Sequence, residues 1–226
     1  MVRLAVVVPA YNEEGALRGA IEDLRRHVPD ARVIVVNDAS TDATPEVARA
    51  IEGVEVLDLP ARVGTGGAVR EGLRRALATD ADAVVQFDAD GQHRGDQVAM
   101  LLATLGPEVD VVVGSRFLGG AGYRPPPLRR LGIEVLNASV RGLGGPVVTD
   151  ATSGFRALSR RAAARLADRD DPEPVALLLL ARAGLRVVEA PVRMEARAAG
   201  RSSLEGLAAV SYMMRVLGLL VRVRLS

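Results

Sequence analysis

The chain has 226 residues, of which 49% are hydrophobic, so it is long enough to bury the core of one α/β domain. Its formal net charge is +1 and only 3% of its residues are aromatic, which argues against nucleic acid as a partner, because such binding relies on excess positive charge and on base stacking. The absence of cysteine excludes disulfides and thiolate metal sites.

Strands and helices alternate in the predicted structure of the first half of the chain. Short, continuously apolar runs rich in β-branched residues predict strands that are covered on both faces, whereas apolar residues at helical spacing predict helices. The predicted elements are, in order, a strand at 4–8, a helix at 13–27, a strand at 33–36, a helix at 44–51, a strand at 54–57, a helix at 67–78 and a strand at 83–87. This alternation predicts a doubly wound sheet whose ligand-binding groups collect at the carboxyl ends of the strands.

The rhythm changes after one more strand, predicted at 109–113. Residues 119–127 are rich in glycine and proline, which is typical of a loop, and this loop fits a mobile lid as well as an ordinary connector. The elements predicted beyond it are a helix at 128–143, a short strand at 154–158, a helix at 174–183 and, at 186–194, a hairpin or paired strand interrupted by Pro191. The chain contains no internal repeat.

Two aspartates, Asp88 and Asp90, follow the strand predicted at 83–87 and are separated by one alanine. Carboxylates at the mouth of a strand can hold Mg²⁺ or Mn²⁺ against a diphosphate, because these ions prefer hard oxygen ligands. Enzymes hold nucleotide sugars in this way. An isolated D-x-D sequence is more often an acidic turn, so the assignment depends on the motifs around it.

Polar residues also follow the first two predicted strands, at 9–13 and 37–42. In a parallel sheet they share a rim with the D-x-D acids, where a carboxylate can accept a hydrogen bond from a base or a ribose hydroxyl. The alternative is that the polar residues at 37–42 only cap the helix that begins near Thr44. A glycine-rich turn at 62–68 opens the next helix, and its backbone amides suit either a nucleotide or close helix packing.

In chain order, the motifs resemble those of family 2 glycosyltransferases with the GT-A fold, and most closely the dolichyl- or polyprenyl-phosphate mannosyltransferase and glucosyltransferase branch. The resemblance covers residues 4 to about 203 and is carried by VVVPAYNEE, VVNDASTD, RVGTGGAVREGL, QFDADGQH, VVVGSRF, DATSGFRAL and EAPVRM. It implies one α/β domain of the GT-A type at 1–203, with a Rossmann-like, doubly wound, mostly parallel sheet flanked by helices. It also implies an inverting, metal-dependent transfer of a hexose from a UDP- or GDP-sugar to polyprenyl or dolichyl phosphate.

The resemblance assigns roles on the donor side of the site. It implies that the nucleotide sugar contacts Pro9, Tyr11, Glu13, Asp38, Gly66, Asp88, Gln92 and Arg201. It implies that Mg²⁺ or Mn²⁺ is held by Asp88, Asp90 and Gln92, with Asp90 as a direct ligand and catalytic residue. Residues 197–202 resemble a late R-x-x-G-x-S loop that closes over the diphosphate; relatives frequently continue with lysine where this chain has Ser203, and Arg201 is expected to supply the charge. His93 is left out of the site, because a lone histidine beside a turn is more often structural or solvated.

On the acceptor side, the resemblance places Arg116 near the acceptor phosphate as a catalytic residue, because a guanidinium can orient that anion. Arg130 is a second candidate for binding the acceptor. The alternative, which stays open, is that Arg130 is only an exposed charge on the surface of a helix. Ser153 and Arg156 belong to an SGFR motif that is expected to form the acceptor floor. Glu134, on the same predicted helix as Arg130, is unfavourable beside an anionic acceptor.

Glu173 has two candidate roles, and they separate the candidate functions. A phosphate acceptor is already an anion and needs no base, so with that acceptor Glu173 positions the sugar. A hydroxyl acceptor on a small molecule or glycan loses its proton as the C–O bond forms, so Glu173 is then the general base. A third candidate is a non-catalytic nucleotide-binding protein, which the intact Asp88 and Asp90 argue against.

The C-terminal segment, 204–226, is predicted to be a mainly apolar helix with Ser211, Arg215 and Arg222 along one stripe. A helix lying in the membrane interface and a core or dimer helix both fit this pattern, so a homodimer is an open alternative. No uncharged apolar stretch reaches the roughly 18 residues expected of a membrane span. The N-terminal apolar run is too short for a signal peptide, so the expectation is a cytoplasmic protein that is peripheral on the cytoplasmic face of the membrane.

Overall fold

A seven-stranded mixed sheet lies at the centre of the structure, a computed structural model that describes residues 2–120, 125–169, 171–195 and 207–225. The strands are β1 (Leu4–Ala10), β2 (Arg32–Asn37), β3 (Val54–Asp58), β4 (Ala83–Gln86), β5 (Val111–Ser115), β6 (Arg156–Ser159) and β7 (Val187–Pro191). They lie in the order β3-β2-β1-β4-β6-β5-β7, and β6 runs antiparallel to both of its neighbours. The prediction of a doubly wound, mostly parallel sheet is confirmed.

Helices cover both faces of this sheet. In the described part of the chain they are α1 (Leu17–His27), α2 (Thr44–Arg49), α3 (Gly64–Leu77), α4 (Asp96–Thr104), α5 (Pro127–Gly142), α6 (Arg160–Leu166), α7 (Glu173–Arg182) and α8 (Leu207–Leu225). Helix α1 shows why they form, since Leu17, Ile21 and Leu24 recur at helical spacing and are fully buried. One apolar layer contains α1, α2 and α4, and the other contains α3, α5, α6, α7 and α8. The central strands are apolar on both sides because each side faces one of these layers.

Three elements differ from the sequence-based prediction. Helices α4 and α6 are not predicted, since α4 buries polar Gln97 beside Val98 and Leu101, and α6 has only seven residues, too few for a clear helical period. The segment predicted as a hairpin or a paired strand contains the single strand β7, which runs parallel to β5. The hairpin alternative is wrong, and β7 ends at Pro191, a residue that is tolerated at the edge of a sheet because the edge needs fewer amide donors.

Helix α8 packs against α5 and α7. Its Val216 and Leu220 are buried in the apolar layer that these helices share. The guanidinium of Arg182 in α7 also donates a hydrogen bond to the carbonyl oxygen of Val223. The inner face of α8 is therefore part of the core. Over the described ranges, no helix is both long enough and apolar enough to cross a membrane.

Candidate active site

One edge of the sheet gathers the polar residues that the motifs contribute. The parallel strands β1, β2, β4 and β5 end at this edge, and antiparallel β6 begins there. Gln86 of β4 lies opposite Val7 of β1 on one side and opposite Arg156 of β6 on the other. The reversed direction of β6 thus places the SGFR motif beside the D-x-D motif, although the two are far apart in the sequence.

The loops after β1 and β2 are tied to each other. The Asn12 backbone amide donates to the Ser40 hydroxyl at 3.1 Å, and the Thr41 backbone amide donates to the Asn12 side-chain oxygen at 2.8 Å. Asn12 and Ala39 have φ values of 56° and 54°, a left-handed conformation that is uncommon outside glycine and is held by its surroundings. The rim above β1 and β2 is therefore a cross-linked surface.

Residues predicted to line the nucleotide pocket lie on this rim. Pro9, Tyr11 and Glu13 are partly buried, and the backbone amide of Glu13 donates to the Thr44 hydroxyl at 2.8 Å. The guanidinium carbon of Arg62 lies 3.8 Å from the centroid of the Tyr11 ring, a cation–π contact. Arg62 stands in the glycine-rich turn, and the sequence alone assigns it no role at the pocket.

Asp38 is buried and binds the turn that opens α3. Its two carboxylate oxygens accept from the backbone amides of Val63, at 2.7 Å, and Gly64, at 2.9 Å. These two amides of the glycine-rich turn therefore donate their hydrogen bonds to a carboxylate of the protein itself. At the start of α2 it is Asp42 that accepts a hydrogen bond from the Thr44 backbone amide, at 3.0 Å. The interpretation that these residues only cap that helix therefore fits Asp42 but not Asp38.

The two aspartates of the D-x-D motif come directly after β4 and differ in exposure. Asp90 is buried, and its Oδ1 accepts from the backbone amide of Gln92 at 3.0 Å, across Gly91 with a φ of 75°. The Asp88 side chain is 33% exposed, and its Oδ2 lies 2.9 Å from Nε2 of His93. Both carboxylates are thus held in place by neighbours from their own loop.

His93, which sequence reasoning leaves out of the site, contacts the D-x-D motif. Its buried ring stacks on Phe155 with centroids 4.6 Å apart and lies 5.9 Å from the centroid of Phe87. Its Nδ1 has no hydrogen-bond partner among the described residues. The imidazole therefore supports the Asp88 carboxylate from the protein interior. His93 is thus a structural residue and not a solvated one. Its place three residues after Asp90, inside the metal motif, is the signal that could have identified it.

The D-x-D donor set fits a divalent cation. Mg²⁺ takes one or two carboxylates and completes its shell with substrate phosphates and water, and Mn²⁺ also suits oxygen ligands. Asp88 and Asp90 offer two such carboxylates, and the side-chain oxygen of Gln92 is a third hard donor, since the Gln92 amide nitrogen donates to the Glu195 carbonyl at 3.2 Å. Within the described ranges, no group of three or more His, Cys, Asp or Glu side chains is placed to hold a metal ion.

Arg116 forms a buried ion pair with Asp150. The two residues are 7% and 0% exposed, and the guanidinium Nε and Nη2 lie 2.6 and 2.7 Å from the two carboxylate oxygens of Asp150. Nη2 also donates to the Thr152 hydroxyl, and the Asp150 backbone amide donates to Glu189 of β7 at 2.9 Å. The positive charge of Arg116, which the resemblance places near the acceptor phosphate, is thus balanced by the Asp150 carboxylate.

Arg130 and Arg201 complete the set of predicted phosphate contacts. Arg130 lies exposed on α5, where its Nε donates to Glu134 at 2.6 Å and its guanidinium carbon is 4.3 Å from the Phe117 ring centroid. The Glu134 carboxylate that seemed unfavourable beside an anion is therefore paired with this arginine. Arg201 and the rest of the late R-x-x-G-x-S loop lie outside the described residues.

Arg156 and Glu173 line a small cavity of about 30 Å³, together with Gln86 and Gly66. Arg156 is buried, and its Nε donates to the Ser153 carbonyl at 2.8 Å. Burial lowers the pKa of Arg156, and the charge of Glu173 is the strongest influence opposing that shift. The side-chain nitrogen of Gln86 has no hydrogen-bond partner among the described residues. The cavity thus combines unsatisfied or charged donors with the carboxylate acceptors of Asp171 and Glu173, a mixture that suits hydroxyl groups.

Gly154 brings the SGFR motif into contact with the D-x-D motif. A Cβ atom at this position would lie 3.0 Å from the Gln86 side-chain nitrogen and 3.4 Å from both carboxylate oxygens of Asp88. Glycine has no such atom, so the two motifs can approach this closely.

The fold matches that of a class of enzymes with solved structures. A doubly wound sheet with paired acids after β4, and with an antiparallel strand beside them, is the GT-A architecture of enzymes that use nucleotide sugars. The family model described as Glycosyl transferase family 2 matches residues 5–166. The chain belongs to glycosyl transferase family 2, and it is a hexosyltransferase.

Relatives and solved structures resemble the chain over most of its length. It is 35% identical over 217 residues to the undecaprenyl-phosphate mannosyltransferase of Micrococcus luteus, covering 91% of this chain and 88% of the relative. It is 32% identical over 207 residues to the dolichyl-phosphate hexose transferase of Haloferax volcanii, again covering 91% and 88%. Glucosyl-3-phosphoglycerate synthase from Mycobacterium tuberculosis, solved with Mn²⁺, uridine diphosphate and glucosyl-3-phosphoglycerate, matches with a TM-score of 0.74 at 26% identity, covering 98% of this chain and 79% of that one.

Proposed function

We propose that the enzyme is an inverting, metal-dependent hexosyltransferase that moves a hexose from a UDP- or GDP-sugar to a polyprenyl phosphate. The observation that carries this proposal is the approach of the SGFR motif to the D-x-D motif at one edge of the sheet, where Gly154 lies against Asp88 and Arg156 is in register with Gln86. Negative charge for a metal ion and positive charge for an anion are thus adjacent. Two relatives at 35% and 32% identity, named for undecaprenyl and dolichyl phosphate, support the lipid acceptor.

The donor half of the site binds the nucleotide in this mechanism. The cross-linked rim, with Tyr11 stacked on Arg62, holds the nucleoside, and Asp38 keeps the glycine-rich turn in place beside it. Asp88, Asp90 and Gln92 would hold the divalent cation. When bound, that cation stabilises the negative charge on the departing nucleoside diphosphate.

The acceptor half binds and orients a phosphate. A phosphate oxygen is an anion at neutral pH, so no general base is needed for it to attack the anomeric carbon. It attacks on the face opposite the leaving group, and this single displacement inverts the configuration. Arg156 supplies buried positive charge beside the reacting groups. The ion pair of Arg116 and Asp150 forms one wall of the acceptor half. Glu173 accepts a hydrogen bond from Tyr212 at 3.2 Å and positions the sugar.

Two packed helices provide the surface for a lipid acceptor. Leu128 and Leu131 on α5 are 73% and 58% exposed, and Met214 and Val221 on α8 are 63% and 56% exposed. Exposed arginines lie on both helices. Apolar side chains among arginines suit the interface of an anionic membrane, so we place the enzyme peripherally on the cytoplasmic face.

A hydroxyl acceptor is the second candidate, and one solved neighbour favours it. Glucosyl-3-phosphoglycerate, bound in the structure that matches with a TM-score of 0.74, carries its sugar on a small soluble molecule. On such an acceptor, Glu173 would remove the hydroxyl proton as the new bond forms.

A transfer assay with matched acceptors separates the two candidates. UDP- and GDP-sugars are offered with Mn²⁺ or Mg²⁺ and either polyprenyl phosphate or 3-phosphoglycerate. The proposal expects product on the lipid phosphate and about a tenfold lower rate for Glu173→Gln, since only a positioning contact is lost. Product on the soluble acceptor alone, with a loss of at least about a hundredfold for Glu173→Gln, is the result expected of a general base and would overturn the lipid assignment.

A further inference from the structure

The C-terminal helix α8 forms a side-chain hydrogen bond with the first residue of α7. The Tyr212 hydroxyl donates to Oε2 of Glu173 at 3.2 Å. Tyr212 is partly buried in the apolar layer that contains α5 and α7. Burial, followed by the charge of Glu173, raises the pKa of Tyr212 well above its ordinary value. The hydroxyl therefore keeps its proton at neutral pH and acts as a donor.

Glu173 carries this contact into the active site. It lines the small cavity together with Arg156 and Gln86. Its charge is the strongest influence that holds up the pKa of Arg156 against burial. Arg156 lies in register with Gln86, two residues before Asp88. The Glu173 carboxylate thus lies beside Arg156, on the strand that pairs with the one leading into the D-x-D motif.

Packing alone does not account for the Tyr212 hydroxyl. Val216 and Leu220, which lie further along α8, are buried and anchor the helix. A phenylalanine ring would fill the space of the tyrosine ring equally well. A partly buried hydroxyl is unfavourable unless it forms a hydrogen bond, so the effect of this group lies in its contact with Glu173.

We propose that Tyr212 is a positioning residue, whose hydroxyl fixes the Glu173 carboxylate towards the Arg156 cavity so that the C-terminal helix completes the sugar-transfer site. The inference rests on the proposed function, because it needs sugar transfer at the D-x-D edge. It gives α8 a role in the reaction that is separate from any role at a membrane surface. Residue 212 acts through Glu173 and does not itself touch the reacting atoms.

A double-mutant cycle in the full chain tests the inference. Tyr212→Phe, Glu173→Gln and the double variant are compared with the wild type in kcat, in KM for the nucleotide sugar and in resistance to chemical denaturation. Tyr212→Phe is expected to lower kcat about tenfold, as for a lost hydrogen bond to a charged group, and to lower it no further when Glu173 is already Gln. Ser211→Ala, an exposed neighbour on the same helix, is the matched control and should retain the wild-type kcat.

The outcomes distinguish this inference from the proposed function. A Tyr212→Phe enzyme with wild-type kcat, or an equal loss of kcat in both Glu173 backgrounds, overturns the positioning role. A purely structural role predicts the first pattern, a wild-type kcat below the unfolding temperature, together with lower stability. If wild-type enzyme transfers sugar to a soluble hydroxyl only, the proposed acceptor fails, and the same cycle is then measured with that acceptor. If the wild type binds no nucleotide sugar, both proposals fail together.

Discussion

The two halves of the active-site edge are held together by different kinds of contact. On the donor side, the loops after β1 and β2 and the turn before α3 are joined through backbone amides, as between Asp38 and the amides of Val63 and Gly64. On the acceptor side, charged side chains bind each other, as in the buried pair of Arg116 and Asp150. Backbone contacts preserve a shape through many substitutions, whereas a buried ion pair depends on two particular residues.

This difference predicts which property of the protein is lost when residues in each half are substituted. Changes in the donor half should impair binding and chemistry while the protein stays folded, because its acids stand at the ends of well-packed strands. Changes in the acceptor half should first cost stability, because an unpaired buried charge is more unfavourable than a missing surface contact.

The largest effect on activity is expected from Asp90→Asn. This change keeps the size of the side chain but removes the charge that we propose holds the cation. Metal ions contribute several kcal/mol of charge stabilisation, so transfer should slow by about a thousandfold. Initial rates over a series of Mn²⁺ concentrations measure the loss.

Asp80→Asn is the matched control for this change. Asp80 precedes β4, at the opposite end of the strand, and pairs with Arg3 at the surface. It should keep the wild-type rate. An Asp90→Asn enzyme that retains more than about a tenth of that rate would contradict the role of Asp90 and would blur the contrast between the two halves.

The buried pair should dominate stability in the acceptor half. Arg116→Leu leaves the Asp150 carboxylate buried without its cation, and such a loss destabilises a protein by about 3–5 kcal/mol. The free energy of unfolding, from denaturant titration, measures it. Replacing both Arg116 and Asp150 with leucine should cost less than replacing Arg116 alone. If the losses of the two single variants simply add in the double variant, the residues are not coupled.

His93 offers a smaller and more specific test in the donor half. His93→Leu removes the nitrogen that contacts Asp88, and loss of a group that orients a metal ligand weakens metal binding by about 10- to 100-fold. Calorimetry of uridine diphosphate with Mn²⁺ measures the affinity without any transfer. His93→Gln places a nitrogen donor at a similar distance and should recover most of it. Equal weakening in both variants would show that the ring matters only for packing against Phe155.

The smallest expected effect is a pH dependence of stability that arises from Asp110, at the edge of the sheet opposite the active site. The Arg161 guanidinium, outweighing burial, holds the pKa of Asp110 below its ordinary value. Because the folded-state pKa is the lower one, this contribution to stability is complete above the unfolded value of about 3.9 and disappears as the pH falls through the folded value. Asp110→Asn should lower the melting temperature by about 2 °C at neutral pH. The difference should vanish in acid; a constant difference at every pH would contradict the assignment to this carboxyl.

Most of the donor half could be predicted from the sequence, because its determinants are local. The strands before Asp38 and Asp88 are continuous apolar runs, and parallel strands bring their carboxyl ends together without further information. The short runs therefore predict both the sheet and the placement of these acids along one rim.

The acceptor half could be predicted only in part, because its determinants are distant in the sequence. The segment of β6 was predicted as a strand, but nothing local states that it runs antiparallel between β4 and β5. The partners of Arg116 and Tyr212 lie 34 and 39 residues away, and no periodicity connects them. A guanidinium in a GSR motif looks the same whether it faces a ligand or a buried acid.

The absence of a side chain at Gly154 limits how this enzyme can be redesigned. A methyl group there would push the Gln86 amide or the Asp88 carboxylate aside by a few tenths of an ångström. Efforts to change sugar preference by enlarging this motif would therefore disturb the acids of the D-x-D motif at the same time. Libraries that vary the α7 side of the cavity leave those acids untouched and are the better route to altered specificity.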